Sequence, residues 1–172
     1  MALIVLLRGV NVGGHRTFRP SRLAQQLREF DVVNVGAAGT FVVRRPGPRP
    51  QFRAALLRKL PFQTEIVFCE GRRLLDLDSA EPFAGRAADP SVVRFASFLV
   101  RRPSEPLKLP LHLPDASDWL VRVHGCDGLI AYGEYRRHMK TIGYLGRLDK
   151  AFGVPVTTRS WNTVNSVLKV LS

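Results

Sequence analysis

The apolar positions of this chain follow two rhythms, short aliphatic runs that suit strands and three-to-four-residue spacings that suit helices. Leu3–Leu7 is five consecutive aliphatic residues, the pattern of a strand buried on both faces. It opens directly into a polar loop that carries Arg8, Asn11 and the glycines Gly9, Gly13 and Gly14. Residues 20–30 place Leu23, Leu27 and Phe30 at i, i+4, i+7, which predicts an amphipathic helix with Pro20 in its first turn. Val32–Val35 and Thr40–Val43 are β-branched or aromatic runs separated only by Gly36-Ala37-Ala38-Gly39. That is too little chain for a parallel crossover, so they are expected to pair as a hairpin. Residues 44–50, RRPGPRP, break the pattern ahead of a second helix with Phe52, Leu56 and Leu60 on one face, and residues 64–69 close the series as a strand.

The resulting order, βαββαβ, predicts an α+β fold of ferredoxin-like type with a mainly antiparallel sheet. It excludes a Rossmann domain, which needs a helix between each pair of parallel strands. The second half repeats the plan in degenerate form. A short helix at 72–77 leads into a linker by composition, Glu81-Pro82-Phe83 to Asp89-Pro90, and then a strand at 92–100. The proline-spaced segment 102–114 stands where a first helix would be and is read as a loop or a degenerate crossover. Residues 119–124 and 128–132 flank Gly125-Cys126-Asp127 as a second hairpin. Met139, Ile142, Leu145, Leu148 and Phe152 line one helix face, residues 154–158 form a last strand, and Trp161, Val164, Leu168 and Leu171 line a final helix. The expected organisation is a ferredoxin-like subdomain at 1–83, a linker at 84–90 and a degenerate second subdomain at 91–172.

Composition changes this picture little. The 172 residues are 45% hydrophobic and 23% charged, ordinary globular usage, and the apolar N-terminal run is far short of the ~20 residues of a membrane span. No membrane is implied. Cys69 and Cys126 offer no disulfide framework and no paired zinc-ligand spacing, which agrees with a reducing, cytoplasmic location.

Charge matters more. The net charge is +12, and residues 1–60 hold eleven Lys or Arg against Glu29 and Asp31. An excess of this kind can recruit nucleic acid or other polyanions through counterion release. The plainer reading is an arginine-favouring codon composition, since only five of the basic residues are lysine.

Spacing excludes several chemistries. GVNVGGHRT, residues 9–17, approaches the phosphate loop GxxxxGK[ST], but His15 and Arg16 stand where lysine and hydroxyl are required. The aromatic platform of RNA-recognition domains is absent from the first strand, and only Phe41-Val42 fits it on the third. His15, His112, His124 and His138 show no metal-ligand spacing, and no GxSxG elbow exists. Asp127 and Glu134 near the second hairpin suit acid–base work, but a solvated turn is the better explanation of both.

Two positive features remain. In a βαββαβ sheet the exit of the first strand and the central hairpin lie at one edge. This brings Asn11, Gly13 and Gly14 towards Gly39 and Thr40, while Arg44, Arg45 and Arg49 leave from the opposite edge. The loop reads either as an anion site built on backbone N–H groups or as a tight turn needing positive φ. The second feature is the polar cluster 157–163, TTRSWNT, where Ser160 is a natural N-cap and Thr158, Arg159 and Asn162 surround a helix start. Trp161 there reads as core or as a ligand platform.

Two stretches carry a resemblance. LLRGVNVGG, residues 6–14, and GVPVTTRSWNTV, residues 153–164, resemble the paired signatures of the bacterial DUF1697 family, a domain of unknown function. The likeness spans nearly the whole chain and includes Pro82-Phe83. It implies a cytoplasmic protein of two α+β subdomains with ferredoxin-like features, and it brings no established activity. The family's loop maps onto Arg8, Gly9, Asn11, Gly13 and Gly14, and its C-terminal motif onto Thr157, Thr158, Arg159, Trp161, Asn162 and Thr163. A hairpin motif similar to SGN is replaced here by Ala38-Gly39-Thr40, and Ser160 replaces a usual Asn while keeping capping ability. A lysine-bearing family segment is similar to Lys140-Thr141.

The expected ligand contacts are therefore Arg8, Asn11, Gly13, Gly14, Gly39, Thr40, Lys140, Thr158, Arg159 and Asn162, with no cofactor or metal. The expected function is binding of an anionic, phosphate-bearing ligand, a nucleotide or nucleic acid. The alternatives are an enzyme, a transferase or hydrolase on a small phosphorylated metabolite clamped by Arg8 or Lys140, and a protein-interaction module using Trp161 and the proline segment.

Overall fold

The computed structural model describes residues 1–10 and 18–172. Contacts divide the chain into two compact units, Met1–Leu75 with Asn165–Ser172, and Asp76–Val164. The protein is α+β, with two antiparallel sheets of four and five strands.

In the first unit the order is β1 (Leu3–Leu7), α1 (Pro20–Gln26), a 3-10 turn (Arg28–Phe30), β2 (Val32–Val35), β3 (Thr40–Val43), α2 (Arg49–Lys59) and β4 (Ile66–Glu70). The sheet order is β2-β3-β1-β4, every neighbour antiparallel. All five residues of β1 are buried, as its unbroken aliphatic run requires. Leu3, Val5 and Leu7 face a core with Leu23, Leu27, Phe41, Val43, Phe52 and Leu56, so both predicted helix stripes meet the same side of the sheet. The β2–β3 hairpin turns through Gly36 and Gly39, both at positive φ. The Gly39 carbonyl accepts the Leu7 N–H at 2.8 Å, which fixes the hairpin beside the exit of β1.

After α3 (Gly71–Ser79), which begins in the first unit, the second unit holds β5 (Val92–Leu99), β6 (Leu111–Leu113), β7 (Val121–Asp127), β8 (Ile130–Arg136), α4 (Thr141–Leu145), α5 (Leu148–Phe152) and β9 (Val156–Ser160), and α6 (Trp161–Leu171) starts in it and ends in the first. Its order is β6-β7-β8-β5-β9. Phe95, Leu99, Val121, Val123, Ala131, Leu148 and Phe152 form its core.

Three expectations change here. The segment 102–114 is not wholly loop, because Leu111–Leu113 adds to β7 as an edge strand. The hairpin turn lies after Asp127 rather than at Gly125-Cys126-Asp127, since Gly125 and Cys126 pair with Tyr132 and Ala131. The helix expected through Met139, Ile142, Leu145, Leu148 and Phe152 is two short helices. Gly143 and Gly146 lower helix propensity between them, and the turn at Gly146 and Arg147 resets the face. Leu148 and Phe152 are buried, whereas Met139 and Ile142 are 89% and 78% exposed.

Candidate anion-binding site

The loop expected to bind ligand falls largely on residues 11–17, so Asn11, Gly13 and Gly14 lie outside the described residues. Arg8 is half-buried at the end of β1; its N–H donates to the Glu65 carbonyl at 3.0 Å and its carbonyl accepts from the Thr64 hydroxyl. Gly39 and Thr40 are buried at the start of β3. A side chain on Gly39 would meet Val10 Cγ2 at 2.7 Å and Leu7 Cβ at 2.9 Å, so this glycine allows a close approach of hairpin and loop.

The C-terminal cluster sits differently from its expected place at the start of a helix. Thr158 and Arg159 lie within β9, paired with Ser97 and Ala96, and the strand runs on to Ser160. The Thr158 hydroxyl is 2.6 Å from the buried Ser97 hydroxyl. Arg159 is half-buried, donates to the Thr158 carbonyl at 3.0 Å, and burial lowers its pKa to about 10. Ser160 Oγ accepts the Thr163 N–H at 3.4 Å, a long N-cap, and Asn162 is exposed in the first turn of α6.

A hydrogen-bonded network of charged side chains lies in the second unit, on the sheet face opposite its core. Cross-strand register aligns Arg94 on β5, Glu134 on β8 and Arg122 on β7. Glu134 is only 2% exposed, and Arg122 donates to its Oε1 through two nitrogens at 3.0 and 3.3 Å. The register slips between Val123 and Gly125, leaving His124 as an extra residue of a β-bulge. Its Nε2 lies 2.6 Å from the same Glu134 oxygen. Burial holds the His124 pKa below the usual imidazole value, against the opposing pull of Glu134. Burial alone would raise Glu134, but the hydrogen bonds from His124 and Arg122 outweigh it and its pKa is lowered. At neutral pH the contact is therefore a neutral N–H donating to a carboxylate, which assigns the Nε2–H tautomer. Phe83 packs edge-on to His124, Tyr132 and Trp161.

Beside this network the indole of Trp119 carries two guanidinium groups, Arg122 at 4.0 Å and Arg136 at 4.1 Å from its ring centre. With Arg86 they line a concavity of about 470 Å³ that also includes Asp89 and Glu134. The two acids are already engaged: Glu134 as above, and Asp89 by the Ser91 side-chain and backbone donors, which lower its pKa. No carboxylate lies within ion-pair distance of Arg136 or Arg86 among the described residues. A second concavity of about 440 Å³ adjoins it through Ser91 and Arg136, and Lys140 is on its wall.

Other chemistries find little support. Among the described residues no three His, Cys, Asp or Glu side chains come together as a metal site, and no helix is long and apolar enough to cross a membrane. Burial pushes the Cys69 thiol up to about 12, far from a reactive thiolate.

The model of the family described as protein of unknown function (DUF1697) matches residues 1–108. The chain belongs to the DUF1697 family. No curated protein and no solved structure matches it. The match takes in the loop signature of the family and Pro82-Phe83, and ends before Trp119, Glu134 and Arg136.

Of the residues anticipated from sequence, Lys140 alone is in this basic region. Trp119, Arg122, His124 and Arg136 are not among the anticipated ligand contacts, and Glu134 is anticipated only as an acid–base candidate near a turn, because the hairpin strands run on to Asp127 and Arg136, three and four residues beyond their expected ends at 124 and 132. The alternation Arg122-Val123-His124 and Glu134-Tyr135-Arg136 was the available signal, marking charged positions at strand period two.

Proposed function

We propose that this DUF1697 protein binds an anionic, phosphate-bearing ligand, a nucleotide or nucleic acid, in the concavity formed by Arg86, Arg122 and Arg136. The observation that carries the reading is Trp119 holding two guanidinium groups on its ring, both of them from residues that line the cavity. Stacking limits the rotamer freedom of both arginines, so less entropy is lost when they grip phosphate oxygens. The paired carboxylate of Glu134 fixes Arg122 further. Among the described residues Arg136 makes no ion pair within 4 Å and feels only the longer-range attraction of Asp89, which Ser91 already engages.

Calorimetric titration with pyrophosphate and a nucleotide series tests this. Arg136→Ala is expected to reduce affinity at least tenfold, while Arg8→Ala leaves it unchanged. The reverse pattern would move the ligand to the loop that follows β1.

A second reading, an enzyme acting on a small phosphorylated metabolite, is favoured by the neutral His124 oriented by Glu134. Release of phosphate from a panel of phosphomonoesters, lost in His124→Asn, would support it.

The strand orders favour a finer description of the fold. The β2-β3-β1-β4 order with βαββαβ connectivity supports a ferredoxin-like first unit. The β7-β8-β5-β9 order repeats it, with the edge strand β6 replacing one helix, and supports a degenerate second copy. Two free cysteines suit a cytoplasmic setting.

A further inference from the structure

We propose that the ligand of the second unit is a single-stranded nucleic acid lying across both concavities; this deepens the anion-binding reading and rests on it. The two concavities share Ser91 and Arg136 as a common wall. Arg86 and Arg122 stand on one side of it with Asp89 and Glu134, and Arg137 and Lys140 on the other with Asp118, so that with Arg136 the cations outnumber the carboxylates on each side. One phosphate group occupies one concavity and leaves the cations of the other unmatched. A chain with a phosphate at every step satisfies both, with Arg136 between successive phosphates.

The surroundings of the second concavity select the kind of polyanion. Met139 and Ile142 are the most exposed large hydrophobic side chains of the second unit; they do not line the concavity but lie within two residues of Lys140 in the chain, which does. Arg147 stacks on the Tyr144 ring at 4.8 Å from its centre, and Tyr144 also borders this concavity. Apolar side chains and a guanidinium–aromatic pair beside a phosphate track give unstacked bases a surface to cover. Inorganic polyphosphate has no group to place there, and a duplex keeps its base faces stacked inside. The absence of an aromatic platform on β1 is no obstacle, because the contacts come from α4 and the segment before it rather than from the first sheet.

Fluorescence anisotropy with labelled oligo-deoxythymidylates of one to ten nucleotides tests the proposal. Affinity is expected to rise more than tenfold between the mononucleotide and an eight-nucleotide strand. With about four phosphates contacted, log K should fall with log salt with a slope of about −3. Arg137→Ala with Lys140→Ala should weaken the eight-mer about tenfold, flatten that slope by about 1, and leave mononucleotide affinity unchanged. Met139→Ser with Ile142→Ser should weaken the eight-mer but not an abasic strand of equal length, and should not change the slope. All four side chains are exposed, and circular dichroism confirms that the variants remain folded. Mononucleotide binding without any gain in affinity for longer strands would overturn the two-concavity proposal and leave the anion site standing. Equal binding of long-chain polyphosphate or duplex would overturn the assignment to single strands. If neither mononucleotide nor strand binds, both readings fail.

Discussion

His124 Nε2 and Glu134 Oε1 lie 2.6 Å apart, and both side chains are almost wholly buried. Their pKa values are both lowered, from 6.5 and 4.5, so both groups bind protons more readily in the unfolded chain. The sign follows directly: stability is complete above the unfolded values and is lost as pH falls through the folded ones. Chemical denaturation from pH 8 to pH 3 should show stability declining from about pH 6.5 downwards. Glu134→Gln should cost about 2 kcal/mol at pH 7, the worth of hydrogen bonds to a charged acceptor. That difference should shrink as pH falls through the folded pKa of Glu134, where the wild-type side chain becomes neutral too. A constant difference across the range would place the loss in packing instead.

Trp119 is the platform for Arg122 and Arg136, so its removal should act on stability and on binding together. Trp119→Ala should destabilise by about 3 kcal/mol through the cavity left in a buried site. Trp119→Phe should recover most of the stability, and pyrophosphate affinity should follow the order Trp, Phe, Ala. Urea denaturation and calorimetry on the three proteins separate the effects. Equal affinity in folded Trp119→Phe and Trp119→Ala would mean that the stack does not position the arginines.

The first unit was legible because its signals were local. Leu3–Leu7 had no polar interruption, Leu23, Leu27 and Phe30 kept a helical period, and four turn residues between Val35 and Thr40 left only a hairpin. β1, β2 and β3 fall on the anticipated residues. The candidate site was less legible because it depends on register across three strands and on a bulge at His124, neither of which leaves a pattern within one segment. The polar cluster 157–163 illustrates the same limit. Its residue types suited a helix start, but pairing with β5 draws Thr158 and Arg159 into a strand.

Gly39 tests the link between hairpin and loop. Its φ of +84° disfavours any side chain, and an added methyl group would press on Val10 and Leu7. Gly39→Ala should therefore cost about 2 kcal/mol or more from strain and overpacking combined. Gly36 shares the positive φ, but an added Cβ has open space around it. Gly36→Ala should be the milder change, and comparing the two by thermal denaturation isolates the packing contribution. Equal losses would show that backbone conformation alone governs the turn.

Ser160 and Arg159 are adjacent, yet they should respond differently to truncation. Ser160 accepts the Thr163 N–H at a long 3.4 Å, so Ser160→Ala should cost about 0.5 to 1 kcal/mol, the lower part of the range for caps. Arg159 is half-buried in β9, and its guanidinium donates to the Thr158 carbonyl. Arg159→Ala should therefore cost about 1 kcal/mol or more, combining a lost hydrogen bond with lost packing of the stem. Because Arg159 does not line the concavity around Trp119, pyrophosphate affinity should be unchanged in the folded variant. Denaturation and titration of the same two proteins give both quantities. Unchanged stability with weakened anion affinity in Arg159→Ala would reverse the assignment, making residues 158–162 the binding surface and the arginine pair on Trp119 a structural stack.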